Sequence, residues 1–191
     1  MADDTGDGHI GGNDIDWHRY SGGTPSSGTG PSSASEGSYY AYVEATNPNY
    51  PNDTACLISP LYNIQDWSSV NISFDYHMYG ATMGSLRLEI SANGGTSWNA
   101  MSLWYKSGDQ GNSWYSASVD IDDTYLEGTS PIRFRFKGIT GTSYTSDIAL
   151  DNITITAIKD PFAISAGNYV HTTTYKTESG SSGAKQEEIQ P

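Results

Sequence analysis

Residues 70–98 read VNISFDYHMYGATMGSLRLEISANGGTSW, and apolar and polar side chains alternate through much of this segment. Alternation with a period of two is typical of β-strands that bury one face. It predicts strands over 70–79 and 85–91, joined by a glycine-containing link. In the first strand the two sets of side chains take opposite faces: Phe74, Tyr76 and Met78 face a core, and Asp75, His77 and Tyr79 face outward.

Similar alternating or apolar runs recur along the chain and are separated by turn residues. No segment has the convincing periodicity of an α-helix. We therefore predict an all-β domain in which two antiparallel sheets pack as a jelly-roll sandwich. The predicted strands are 38–46, 54–60, 70–79, 85–91, 98–108, 113–121, 131–139 and 147–156.

The last predicted strand contains a slip in its alternation. Ile148 and Leu150 share one parity, whereas Ile153 and Ile155 share the other. All four can face the core only if one extra residue is accommodated near 151–152, which is the definition of a β-bulge. A bulge re-aims nearby side chains, and this predicts that the aspartate at 151 is available as a ligand.

The composition limits the classes of function. The 191-residue chain has nine basic and 22 acidic residues and a net charge of −13, which argues against nucleic-acid binding. Abundant Gly, Ser, Thr, Asn and Tyr are typical of secreted all-β modules. The single cysteine, Cys56, excludes an intrachain disulfide, and its apolar neighbours predict burial. No apolar run approaches the ~20 residues of a membrane-spanning helix, so we expect no membrane insertion.

Changes in composition divide the chain into four parts. We predict a flexible acidic entry segment at 1–13 and the sandwich domain at 14–157. A linker with one extra strand is predicted at 158–176. The final part, 177–191, has almost no apolar content and is predicted to be a disordered tail.

Several short motifs occur in a fixed order: DIDW (14–17), YYAYVEA (39–45), NDTACLISP (52–60), FDYHMYG (74–80), GSLRLEIS (84–91) and FKGITGTSYTSDIALDNI (136–153). In this order they resemble the MAM domain over about residues 14–157. The resemblance implies a jelly roll of concanavalin or galactose-binding type. It also implies an extracellular adhesion and recognition module, without catalysis, in a multidomain secreted or membrane-associated protein. Animal members usually carry paired cysteines, so the resemblance is to the bacterial branch. The family's opening strand has no match here.

Carboxylates form the first candidate site. The positions that resemble the family's acidic sites, together with a neighbouring aspartate, are Asp14, Asp16, Asp53 and Asp151. Carboxylates and loop carbonyls are the ligands that Ca²⁺ takes. One interpretation is therefore a structural Ca²⁺ or Na⁺ site, and the alternative is turn and cap aspartates that hold no ion.

The outward set of the opening strand, Asp75, His77 and Tyr79, is the second candidate site. Catalysis would need a nucleophile or a second carboxylate within hydrogen-bond reach of these groups. No nucleophile-elbow or zinc-protease motif is present. Cross-strand hydrogen bonds on a half-wet face are the favoured interpretation, ligand contact comes second, and we predict that the protein is not an enzyme.

The third candidate site is basic and aromatic. Arg133, Arg135 and Lys137 alternate along one predicted strand, and Arg87 points outward from another. If these strands share a sheet with 74–80, their face would suit an anionic glycan or an acidic protein patch; the alternative is ion pairing within the domain, for example with Glu89. Tyrosines and tryptophans beside turns are candidates for stacking on sugars, while others are predicted to be core residues. The surface candidates are Tyr50, Trp98, Tyr105 and Tyr144, and the core candidates are Trp17, Trp67 and Trp114.

Together these features predict a non-catalytic extracellular adhesion or recognition module, stabilised by a cation, whose partners are other proteins or extracellular glycans. One alternative is a carbohydrate-binding module that targets an attached enzyme to a polysaccharide. Another is a spacer without a ligand.

Overall fold

The computed structural model describes the backbone of residues 2–3 and the residues 14–64, 67–99, 103–121 and 131–159. Within these ranges the regular structure is entirely β. The strands are β1 (Ala2–Asp3), β2 (His18–Tyr20), β3 (Tyr40–Val43), β4 (Thr54–Ile58), β5 (Trp67–Met78), β6 (Ser85–Ser91), β7 (Trp104–Ser107), β8 (Tyr115–Ile121), β9 (Arg133–Ile139) and β10 (Ile148–Lys159).

The strands form two antiparallel sheets. The first sheet has the order β1-β4-β9-β6-β7, and the second has the order β2-β3-β10-β5-β8. The predicted all-β sandwich of two sheets is therefore confirmed. The crossovers between sequence-distant strands, such as β4 to β9 and β3 to β10, are those of a jelly-roll-like sandwich.

The core lies between the sheets and consists of the inward-facing side chains of both. Phe74 of β5 and Phe136 of β9 meet edge to face across the sandwich, with ring centroids 4.7 Å apart. Both are almost fully buried, as are Tyr76 and Met78. Burial of one such aromatic side chain contributes on the order of 2–3 kcal/mol. The inward set predicted for the strand at 70–79 is therefore confirmed.

The predicted bulge is present in β10. The register with β5 shifts between Asp151 and Thr154, and Asn152 takes a positive φ of 48°, a conformation that asparagine tolerates better than most residues. Ile148 and Leu150 belong to the core before the bulge, and Ile153 and Ile155 pack against it afterwards. The extra residue thus keeps both halves of the strand in contact with the core.

Some strand bounds differ from those predicted. The segment predicted as one strand at 98–108 contributes only Trp104–Ser107, because 98–99 forms no strand and 100–102 lies outside the described residues. Strand β2 was not predicted, since three residues are too short to show an alternating pattern. The linker and tail predictions for 160–191, and most of the entry segment at 1–13, also fall outside the described residues.

Candidate functional site

The outer face of the second sheet is covered around Asp75 and His77, which corrects the prediction that these two side chains face outward into solvent. Only 8% of Asp75 and 1% of His77 is exposed, and Tyr79 is half-buried. Residues 21–37, here called the cover segment, lie over this face and are held by side chains of the sheet. The contacts are Ser35 Oγ to Asp75 at 2.8 Å, Trp114 Nε1 to the Ser33 carbonyl at 2.9 Å and Tyr40 OH to the Gly22 carbonyl at 2.8 Å.

The buried polar groups of this face are arranged for structure rather than proton transfer. Asp75 accepts hydrogen bonds from Ser35 Oγ and from Ser116 Oγ at 2.6 Å. His77 contacts Asn112 Oδ1 through Nε2 at 3.1 Å, and its Nδ1 has no partner among the described residues. Burial lowers the pKa of His77, which favours the neutral ring. Within the described ranges no hydrogen bond joins this imidazole to a carboxylate, so the pairing that activates a general base is not formed there.

One acidic group that the sequence did not single out is buried beside the cover segment. Asp147, just before β10, is fully buried, and desolvation raises its pKa to about 7. Its Oδ1 accepts the Ala45 N–H at 3.0 Å, while its own N–H donates to Thr29 Oγ1 of the cover segment at 2.9 Å. The remaining oxygen, Oδ2, has no hydrogen-bond partner in the described part of the chain. An aspartate in an otherwise ordinary SDIAL sequence gives no pattern that reveals this burial.

Among the described residues the predicted metal ligands do not form one cluster, and Asp16 is half-buried just before Trp17. Asp14 accepts the Thr54 N–H beside Asp53, at the start of β4 in the first sheet. Asp151 lies on β10 of the second sheet, where its carboxylate accepts N–H groups of Ser35, Glu36 and Asn152 at 2.8–2.9 Å. Across the ranges that are described, no three Asp, Glu, His or Cys side chains are placed to hold one ion. The carboxylates thus do not fit the single shared site that was predicted.

The basic residues lie on the other side of the sandwich. Arg133, Arg135 and Lys137 are on β9 and Arg87 is on β6, so all four belong to the first sheet, whereas 74–78 belongs to the second. The prediction that these basic residues share a face with His77 and Tyr79 is therefore wrong. Arg135 is buried, its Nε lies 2.6 Å from Glu89, and its guanidinium lies 4.3 Å from the Trp98 ring centroid. The alternative of ion pairing with Glu89 is confirmed for this arginine.

The other three basic side chains remain half-buried on the outer face of the first sheet. Strand register places Lys137 opposite Arg87, and Arg87 opposite Tyr105 of β7. The Arg87 guanidinium lies 5.1 Å from the Tyr105 ring centroid, and 49% of Tyr105 is exposed. No ion pair of Arg87, Arg133 or Lys137 occurs among the residues whose side chains are described. This face therefore presents positive charge on an acidic protein.

A cleft of about 340 Å³, lined by both apolar and polar groups, opens beside this row, at the end of β6, β7 and β9. Sequence reasoning found Tyr105 but not the cleft, because its walls come from four separate segments.

The exposed Tyr144 lies in the β9–β10 connection and does not line the cleft. Tyr50 and Trp98 are half-buried, whereas Trp17, Trp67 and Trp114 pack against apolar clusters as predicted.

A family model for the MAM domain (meprin/A5/mu) matches residues 9–159. The chain belongs to the MAM family. The match covers all of the strands from β2 to β10, so the MAM domain contains the whole two-sheet sandwich except β1.

The relatives of this MAM domain include vertebrate cell-surface proteins. It is 40% identical over 117 residues to MAM domain-containing glycosylphosphatidylinositol anchor protein 1 of Gallus gallus, covering 61% of this chain and 12% of that protein. It is 32% identical over 139 residues to thyroid hormone-induced protein B of Xenopus laevis, covering 72% and 19%. The chain thus spans less than a fifth of the length of these relatives. Such relatives place the MAM domain outside the cell, secreted or at the surface, and give no support to a bacterial branch.

Solved structures resemble this MAM domain in fold. A cyclase from Fischerella sp. TAU aligns with a TM-score of 0.53 at 15% identity, over 76% of this chain and 75% of that one. The K2 cleaved adhesin domain of Lys-gingipain aligns with a TM-score of 0.50 at 17% identity, over 73% and 82%. At these identities the likeness concerns the sandwich alone.

Among the described residues, no helix is long and apolar enough to cross a membrane.

Proposed function

We propose that this MAM domain is a non-catalytic recognition module of a larger extracellular protein and that it binds its partner through the outer face of the first sheet. The observation that carries the proposal is the gathering of Arg87, Arg133 and Lys137 on that face in a chain of net charge −13. The partner surface that suits it is acidic.

Two physical arguments support this choice of face. The cover segment occupies the part of the second sheet's outer face around Asp75 and His77. The basic face keeps half-buried guanidinium and ammonium groups without ion-pair partners in the described part of the chain. Basic groups without local partners steer an oppositely charged partner into contact and raise its association rate. Because β6 and β9 are central strands of their sheet, these side chains stand on a rigid support.

A cell-adhesion assay tests the proposal. Surfaces coated with the domain should retain cultured vertebrate cells, whose glycans and proteins carry acidic groups, and a coat of the Arg133→Gln/Lys137→Gln variant should retain fewer. Arg19→Gln is the matched control, because Arg19 is an exposed arginine on β2 of the second sheet. Retention no greater than on albumin, or equal retention by the double variant, would overturn the proposal.

A second candidate function is the targeting of an attached enzyme to a polysaccharide. The cleft beside Tyr105 is the specific feature that favours it, since an exposed aromatic ring and polar side chains meet there. The targeting function requires that the domain bind a sugar polymer on its own, whereas protein recognition does not require this.

A bound cation stays a prediction of the family resemblance, and the described carboxylates offer it no shared site. Titration of calcium into chelator-treated domain by calorimetry tests it. A heat of binding with a higher melting temperature would support a cation site, and a melting temperature unchanged by chelation would reject it.

A further inference from the structure

We propose that the cleft beside Tyr105 is a binding site for an anionic sugar, a carboxylated or sulfated unit of an extracellular polysaccharide. This inference deepens the proposed function, because Tyr105 lines the cleft and two basic residues lie close to it on the same face. Arg87 and Lys137 are each two residues along their strand from a lining residue, Ser85 or Ile139. Four features support the inference: a fixed floor, unused polar groups, an exposed ring and positive charge.

The floor of the cleft is fixed by close backbone packing. A Cβ on Gly84 would overlap the carbonyl of Ile139, and one on Gly141 would overlap the carbonyl of Thr82. Two buried or half-buried hydroxyls tie together the connections beside these glycines. Thr82 Oγ1 lies 2.8 Å from Thr145 Oγ1, and Thr140 Oγ1 accepts the Asp53 N–H at 3.0 Å. A cavity with such a floor is preformed, so a ligand does not have to order it.

The walls carry polar groups that the fold does not use. The Ser85, Ser107 and Thr142 hydroxyls and the Asn52 amide make no hydrogen bond with any described residue. Three of these side chains are exposed, and Ser85 is half-buried. Each hydroxyl can both donate and accept, and the amide can do both through separate atoms. Sugar hydroxyls need this mixture of donors and acceptors.

An exposed aromatic ring lines the cleft. Tyr105 is half-exposed, and the Arg87 guanidinium lies 5.1 Å from its ring centroid. The apolar C–H face of a sugar ring can pack on an exposed aromatic face, with hydroxyls directed to the rim. At about 340 Å³ the cleft lies at the lower end of the size range of small-molecule sites. It therefore suits one or two sugar units of a longer polymer.

Charge selects an acidic sugar. Arg87 Nε is buried without a hydrogen-bond partner in the described part of the chain, and Lys137 lies opposite it. Of the acidic groups nearby, Glu89 is occupied by Arg135, and Asp14 accepts the Thr54 N–H beside Asp53. Asp109, two residues after Ser107, accepts the N–H groups of Gly80 and Gly111. A guanidinium binds carboxylate or sulfate oxygens through directed, charge-assisted hydrogen bonds. An acidic peptide would use the charges but has no need of the hydroxyl and amide walls or of the stacked ring.

Calorimetric titration of the purified full chain with four polymers tests the inference: polygalacturonate (carboxylated), heparin (sulfated), dextran (neutral) and polyglutamate (acidic polypeptide). We expect binding to at least one of the first two, little to dextran, and a weaker response to polyglutamate. Tyr105→Ala should weaken sugar binding about tenfold. Tyr105→Phe should restore it, and the matched control Tyr144→Ala should leave it unchanged. Melting curves of each variant check that the fold is retained.

The outcomes separate this inference from the proposed function. Polyglutamate binding that falls in the Arg133→Gln/Lys137→Gln variant but not in Tyr105→Ala, with neither acidic polysaccharide bound, would leave the recognition face standing and reject the sugar site. Acidic-polysaccharide binding that is the same in Tyr105→Ala and wild type would also reject it. A domain that binds an acidic polysaccharide through Tyr105 but does not retain cells would support the sugar site and reject the adhesion function.

Discussion

Asp75 and Asp151 lie directly opposite each other on β5 and β10, and Ser35 of the cover segment bridges their carboxylates. The Ser35 N–H donates to Asp151 Oδ2 and its hydroxyl donates to Asp75 Oδ2, each at 2.8 Å. Like charges opposite each other destabilise a sheet, and further donors from Glu36 and Ser116 offset that repulsion. The acidic pair therefore serves as the anchor of the cover segment.

Replacement of Ser35 by alanine should weaken this anchor. The variant loses a partly buried, charge-assisted hydrogen bond to Asp75, which should lower the free energy of unfolding by roughly 1–3 kcal/mol. Urea unfolding measured by tryptophan fluorescence checks this, since Trp114 packs beneath the same segment. Ser33→Ala is the control, because its hydroxyl makes only an exposed local contact. Equal stability of the two variants would contradict the anchoring role.

Asp147 should make the stability depend on pH. Its pKa is about 7 in the folded state against 3.8 when unperturbed, so the folded state holds the proton more tightly. The stability that this proton contributes is complete below pH 3.8 and is lost as the pH rises through 7. We expect Asp147→Asn to match wild type near pH 4 and to exceed it by about 4 kcal/mol at pH 8.

Urea unfolding at a series of pH values measures this difference, because effects of other groups cancel between wild type and variant. Burial lowers the pKa of His77, so protonation of this ring should destabilise both proteins below its unperturbed pKa of 6.5. A difference between variant and wild type that stays constant from pH 4 to pH 8 would show that Asp147 does not titrate in this range.

The buried ion pair of the first sheet should be costly to break from one side. Glu89→Ala leaves the Arg135 guanidinium without its carboxylate in a buried position, which should destabilise the domain by roughly 3–5 kcal/mol. The double variant Glu89→Leu/Arg135→Met should recover much of this loss, because two apolar side chains need no partner. Guanidinium unfolding of the single and double variants provides the measurement. A double variant less stable than Glu89→Ala would mean that Arg135 stabilises the sheet chiefly through its Trp98 contact.

The sequence predicted which face of a strand each side chain takes better than it predicted which strands lie side by side. Alternation correctly separated Phe74 from Asp75, and the phase slip correctly located the bulge at Asp151–Asn152. Both are local patterns of side chains within one strand. The order of strands depends instead on pairing over more than 40 residues, so nothing local indicated that Arg133 and His77 belong to opposite sheets.

Local sequence patterns also did not predict the cover segment or the cleft. The cover segment has a Gly, Ser and Thr composition typical of a solvated loop, yet hydrogen bonds of Thr29 and Ser35 hold it in place. The Thr29 hydroxyl donates to the Tyr79 carbonyl and accepts the Asp147 N–H, and Ser35 donates to Asp75 and Asp151. The cleft beside Tyr105 is assembled from residues between 52 and 142, which only the fold brings together. Predictions about exposure therefore failed where a loop of ordinary composition packed on a strand of ordinary alternation.

The glycine that ends FDYHMYG should not tolerate a side chain. Gly80 has a φ of +148°, and a Cβ there would overlap the carbonyl of Thr145. Since both the backbone conformation and the close approach exclude a methyl group, Gly80→Ala should lower the free energy of unfolding by roughly 2–4 kcal/mol. Gly23→Ala is the matched control, because its Cβ would meet its neighbours at ordinary contact distances of 3.6–3.8 Å without a positive φ. Thermal unfolding of both variants tests the prediction, and a Gly80→Ala protein as stable as Gly23→Ala would show that the 80–82 turn can shift away from Thr145.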